Sequence, residues 1–142
     1  MTQSMTRFLT RLSHAFCADQ LDHIAQNFTY PLPFYAKSEL LVFGAPNALV
    51  EALAPYREAA RKADIVRITP RIVASGLPRK GYSTVWVEWD HFDSEDTLLC
   101  TSQVRYAVFQ DKLADQPRIE LVDYTALAFP EVSDNLPLLE SA

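Results

Sequence analysis

The stretch Tyr82-Ser83-Thr84-Val85-Trp86-Val87-Glu88-Trp89-Asp90-His91-Phe92 decides the class of fold. Val85, Val87, Trp89 and His91 alternate with Trp86, Glu88 and Asp90, and Pro78-Arg79-Lys80-Gly81 and Asp93-Ser94-Glu95-Asp96 bracket the run. A period of two, rich in β-branched and aromatic residues and closed by turn chemistry at both ends, is a half-buried strand. The more apolar set faces the core, so Trp89 and His91 are expected to point inward. The same period extends outward to Ile65–Leu77, Thr97–Gln110 and Arg118–Leu127, with a polar loop from Asp111 to Pro117. Strands this close in sequence, with no helix between them, pair antiparallel.

Upstream of Asp64 the period is 3.6. Met5, Phe8, Leu9, Leu12, Ala15 and Phe16 form the stripe of a first amphipathic helix. Asp19 is placed to cap a second, whose stripe is Leu21, Ile24, Ala25 and Phe28. Prolines force Tyr30-Pro31-Leu32-Pro33-Phe34-Tyr35 into an extended path suited to a sheet edge, and Glu39–Phe43 reads as a short strand. Pro46 suits the first position of a third helix with stripe Leu49, Val50, Leu53, Tyr56 and Ala60, which Pro55 is expected to kink or split. The sum is an α+β arrangement: three N-terminal helices packed on one face of a curved, mostly antiparallel sheet. One domain is expected over residues 1–130, with a tail at 131–142.

Composition narrows the chemistry. The chain has 142 residues, 49% of them hydrophobic, with two Trp, six Tyr and eight Phe. Its three glycines, Gly44, Gly76 and Gly81, cannot supply a dinucleotide loop, a P-loop or a nucleophile elbow, so no cofactor is expected. Two cysteines and three histidines without metal-ligand spacing predict no metal site. The net charge of −5 argues against nucleic-acid binding. The basic stretch Arg57, Arg61, Lys62, Arg67, Arg71, Arg79 and Lys80 is expected to face acidic strands of the same molecule or a twin. No apolar run approaches the ~20 residues that a membrane span needs. The first 18 residues, with Arg7 and Arg11 and no acid, loosely resemble a transit peptide, but a first helix explains them equally. Cys17 and Cys100 read as free thiols, and the cytoplasm is the expected compartment.

Element order and length resemble the nuclear transport factor 2-like superfamily, the cone-shaped fold shared with ketosteroid isomerases, scytalone dehydratase and polyketide-cyclase-like proteins. The resemblance spans Met5 to Phe129. It rests on the helical opening running into Phe28-Thr29-Tyr30-Pro31 and on the closing strand Arg118-Ile119-Glu120-Leu121-Val122-Asp123-Tyr124. It implies a pocket between helices and sheet, and a homodimer formed through the outer sheet face.

Strand alternation sorts candidates for that pocket. Ile119, Leu121, Asp123, Thr125 and Leu127 share the more apolar side of the last strand, which turns Asp123 inward as a desolvated carboxylate suited to general-base work. Pairing with Arg105 or Arg118 is the bland alternative for it. His91 is the second catalytic candidate, as a proton shuttle; His14 and His23 read as exposed. Tyr30, Phe34, Tyr35, Trp89 and Tyr106 are the candidate ligand-pocket residues, and the third long strand does not declare its inner face. Trp86, on the opposite face, predicts a dimer interface. Three functions stay open: a module binding a small hydrophobic or aromatic ligand; a cofactor-independent isomerase, dehydratase or cyclase with Asp123 as base; and a dimeric interaction module with a filled cone.

Overall fold

The computed structural model describes residues 2–37 and 39–128, so the tail at 131–142 lies outside the described residues. Helices α1 (Thr2–Cys17) and α2 (Leu21–Ala25) lead into strands β1 (Leu32–Ala36) and β2 (Glu39–Phe43), then α3 (Pro46–Lys62). Four long strands follow: β3 (Ile65–Ser75), β4 (Tyr82–Asp93), β5 (Leu98–Phe109) and β6 (Arg118–Ala126). The six form one sheet in the order β2-β1-β6-β5-β4-β3, antiparallel except where β1 runs parallel to β6.

Three local expectations are corrected. Asp19 does not cap α2: it lies in the left-handed region at φ 63°, and the N-cap residue is Gln20, without a side-chain bond. An aspartate tolerates that backbone and lets the chain turn from α1 into α2 through three residues, Ala18 to Gln20. Pro55 does not split α3, which runs unbroken from Pro46 to Lys62. Nor is β1 an edge strand. Its parallel pairing with β6 starts at Phe34↔Val122, one residue after Pro33, so the missing proline N–H falls outside that ladder.

The helices cover one face of the sheet. Phe8, Leu9 and Leu12 of α1, Leu21 and Ile24 of α2 and Leu49 of α3 are buried against Leu32, Phe43, Val87, Val104, Ile119 and Val122. The opening turn and the last strand are stitched together: Phe28 bridges Ile119, the Thr29 N–H donates to the Ile119 carbonyl, and Arg118 Nη2 donates to the Phe28 carbonyl at 2.6 Å. The two sequence segments behind the family resemblance are thus neighbours in space.

Of the basic stretch, Arg61 pairs with Glu58, Arg67 with Asp96, and Arg71 with both Glu88 and Asp90. The acidic partners belong to the same molecule. No helix among the described residues is long and apolar enough to cross a membrane.

Candidate functional site

The inner face of the sheet follows from the registers. On β4, Val85, Val87, Trp89 and His91 are buried; on β5, Ser102, Val104, Tyr106 and Val108 are buried, which settles the inner face of that strand. Opposite pairs Trp89↔Ser102 and His91↔Cys100 put His91 and Ser102 on adjacent diagonal positions.

On β6 alternation fails twice. Ala107 opposes Leu121 but Val108 opposes Ile119, so Glu120 is an extra residue; likewise Gln103 opposes Ala126 and Val104 opposes Tyr124, so Thr125 is extra. Each bulge swaps the two faces of the strand. Ile119, Val122, Tyr124 and Leu127 therefore turn inward, and the stretch between the bulges turns Leu121 and Asp123 outward.

That corrects the inward placement of Asp123. It opposes Arg105 in the ladder and accepts from that guanidinium at 3.3 Å, with its side chain 30% exposed. Tyr35 faces outward with it, opposite both Asp123 and Leu40. Tyr30 also stays out of the cavity wall: its hydroxyl donates to the Ala25 carbonyl at 2.7 Å, and burial pushes its ionisation up to about 12. Phe34, Trp89, Tyr106 and His91 do line one common cavity.

The cavity has a volume of about 140 Å³ and lies between helices and sheet. Leu12, Ser13 and Phe16 of α1 and Leu49, Leu53 and Tyr56 of α3 roof it; Ile24, Phe28 and Phe34 close one side; Ile68, Trp89, His91, Ser102, Tyr106, Val122 and Tyr124 form its sheet wall. No Lys, Arg, Asp or Glu is among these lining residues.

Its polar groups are ordered by one another. Trp89 Nε1–H donates to the Tyr106 hydroxyl at 3.0 Å, and because indole is only a donor, the Tyr106 proton is left to point at Tyr124, its other partner. Burial raises both phenols, Tyr124 to about 12 and Tyr106 well above its ordinary value, so both stay neutral donors. His91 Nδ1 lies 3.0 Å from the Trp89 carbonyl, which only accepts, so that nitrogen carries the hydrogen. Desolvation lowers the His91 ionisation against opposing hydrogen bonds to the Trp89 and Cys100 carbonyls. The ring is neutral at pH 7.

Ser102, 4% exposed, lines the same wall, and its hydroxyl has no hydrogen-bond partner among the described residues. Ser13 donates to the Thr10 carbonyl at 2.9 Å. Sequence reading missed Ser102, Tyr56 and Tyr124. A signal existed for the first: Ser102 is the one small polar residue in the set Ser102, Val104, Tyr106, Val108. His14 and His23 are exposed, away from this cavity, and the described residues hold no cluster of three potential metal ligands.

No family model and no curated protein sequence matches the chain. Its fold does match solved structures. An NTF-2-like protein of unknown function from Shewanella oneidensis MR-1 superposes with a TM-score of 0.62 at 17% identity, over 87% of this chain and 97% of that one. A domain of unknown function with a cystatin-like fold from Nostoc punctiforme gives 0.63 at 13% identity, over 99% and 86%. ActVI-ORFA from Streptomyces coelicolor gives 0.63 at 8% identity, over 88% and 93%. The chain has the nuclear transport factor 2-like, cystatin-like α+β fold.

Proposed function

We propose that the domain binds a small, uncharged, largely apolar molecule in the cavity between helices and sheet. The observation that carries this reading is an interior space of about 140 Å³ with aromatic and aliphatic walls and no charged side chain among its lining residues. Packed cores leave few voids larger than a water molecule, so a space of this size is a feature of the sequence. An apolar cavity of about 150 Å³ is known to stay dry and to bind benzene.

Thermal unfolding against a panel of neutral apolar compounds tests the reading. A ligand at a hundred times its dissociation constant adds about 2.7 kcal/mol, which in a domain of this size raises Tm by roughly 8–13 °C. The reading falls when no compound in a broad panel raises Tm with concentration.

A second reading, a cofactor-independent proton-transfer enzyme, keeps one support. His91 is buried on the cavity wall, neutral, with its Nδ1–H held by the Trp89 carbonyl, which is the form a general base needs. Asp123, facing away from the cavity, gives that chemistry no second group. A homodimer through the outer face is also proposed, because Trp86 and Leu40 are 40% and 46% exposed there. Both cysteines are free thiols, which suits a reducing compartment such as the cytoplasm.

A further inference from the structure

We infer that the cavity selects a single-ring, uncharged molecule carrying one hydroxyl, and that Ser102 is the side chain that reads that hydroxyl. The inference rests on the ligand-binding reading and narrows it to a chemical class. Size is the first constraint. The volume of about 140 Å³ is close to the roughly 150 Å³ that accommodates benzene, so a single six-membered ring matches it best.

Charge is the second constraint. Among the described residues, a carboxylate or an ammonium entering this space finds no oppositely charged side chain on the wall, whose titratable groups there, His91, Tyr56, Tyr106 and Tyr124, are an imidazole and three phenols. An unpaired charge moved out of water is the costliest thing such a site is asked to bury, so anions and cations are rejected.

Ser102 supplies the third. Most polar groups of the wall are spoken for: Trp89 by Tyr106, Tyr106 by Tyr124, Ser13 by the Thr10 carbonyl. The Ser102 hydroxyl, in a residue 96% removed from solvent, has no partner among the described residues. A hydroxyl that lines a cavity is open to a bond from whatever enters it, a ligand or a water. Serine both donates and accepts, and a ligand hydroxyl answers either half, whereas a ketone answers only the donor. Ser102 stands opposite Trp89 and diagonal to His91, so a ring seated against the indole carries its hydroxyl between the serine and the imidazole.

Calorimetric titration of the full chain with benzene, fluorobenzene, phenol, 2-naphthol and benzoate at neutral pH tests the assignment. Phenol is expected to bind about five- to tenfold tighter than benzene or fluorobenzene, the worth of one neutral hydrogen bond. Ser102→Ala is expected to erase that ratio while leaving benzene affinity within twofold. Benzoate and 2-naphthol are expected to bind at least about tenfold more weakly than phenol. The assignment is overturned by a phenol-to-benzene ratio unchanged in Ser102→Ala, or by 2-naphthol matching phenol. If the variant does not fold, a wild-type phenol-to-fluorobenzene ratio near one overturns it equally. Tight binding of larger apolar compounds alone sinks this inference and spares the ligand-binding reading; no binding by anything sinks both.

Discussion

Tyr106→Phe is the sharpest probe of the cavity wall, because it deletes one oxygen and keeps the ring. In the wild type that oxygen accepts from Trp89 Nε1–H at 3.0 Å, with Trp89 6% and Tyr106 5% exposed. Phenylalanine fills the same space, so no cavity term of consequence enters. What changes is that the indole N–H is stranded in a dry wall and Tyr124 loses its hydrogen-bond partner. A buried donor left without an acceptor costs about 1–3 kcal/mol. For a domain of this size each kcal/mol moves Tm by roughly 3–5 °C, so a fall of about 5–10 °C is expected at the middle of that range. Urea unfolding followed by tryptophan fluorescence reads the loss directly. A double-mutant cycle with Trp89→Phe should return a coupling near 1 kcal/mol, since each single variant breaks the same bond. A Tyr106→Phe stability within about 0.3 kcal/mol of wild type, or no coupling in the cycle, would refute the reasoning. The indole would then present its N–H to the cavity interior, and the polar pole of the site would lie elsewhere.

Asp123→Asn is expected to cost under about 1 kcal/mol, because its partner Arg105 lies at 3.3 Å in a pair that solvent reaches, and to leave ligand affinity unchanged; a tenfold loss of affinity would return it to the site. His91 gives the acid limb of stability its shape. Its folded ionisation lies below the ordinary value of 6.5, so above 6.5 both states are neutral and nothing is lost. As pH falls from 6.5 towards the folded value the unfolded chain takes up the proton first, and stability drops by at most about 1.4 kcal/mol per pH unit. His91→Gln should flatten urea midpoints between pH 6.5 and 5; an unchanged slope there would show that another group titrates. Trp86→Glu tests the outer face: sedimentation should find the wild type at twice 16.1 kDa and the variant at 16.1 kDa, and a monomeric wild type ends the dimer proposal.

Much of this was legible in the sequence for a simple reason: two periods, 3.6 before Asp64 and 2 after it, were strong enough to place every helix and strand to within a few residues. The site was half legible. Trp89 and His91 lie on β4 between turns that keep one unbroken register from Tyr82 to His91, so alternation predicted their side correctly. Asp123 and Tyr124 lie on β6 between two bulges, and a bulge has no dependable signature in side-chain polarity. Counting by twos from Ile119 therefore gave the wrong parity after one residue. The parity was restored at Leu127, which is why the error touched only the middle of the strand.

The bulges also explain why the cavity exists in its present form. Had β6 run in strict alternation, Leu121 and Asp123 would face the helices in place of Val122 and Tyr124, setting a carboxylate beside Tyr106 and Trp89. Burying that charge without its Arg105 partner costs far more than the surface pair returns. By shifting parity at Glu120 and Thr125, the strand places Asp123 opposite Arg105 and delivers the Tyr124 phenol to Tyr106. Among the described residues, the wall that results carries no Lys, Arg, Asp or Glu. The same two extra residues that hid the site from sequence reading thus keep the Asp123 carboxylate off the cavity wall. Deleting Glu120 should leave a regular ladder, with Ile119 opposite Val108, Leu121 opposite Ala107 and Asp123 still outward beside Arg105, so urea unfolding of that variant should find only a modest loss of stability; a severe loss would mean that the bulge itself, and not the parity it sets, is what the strand needs.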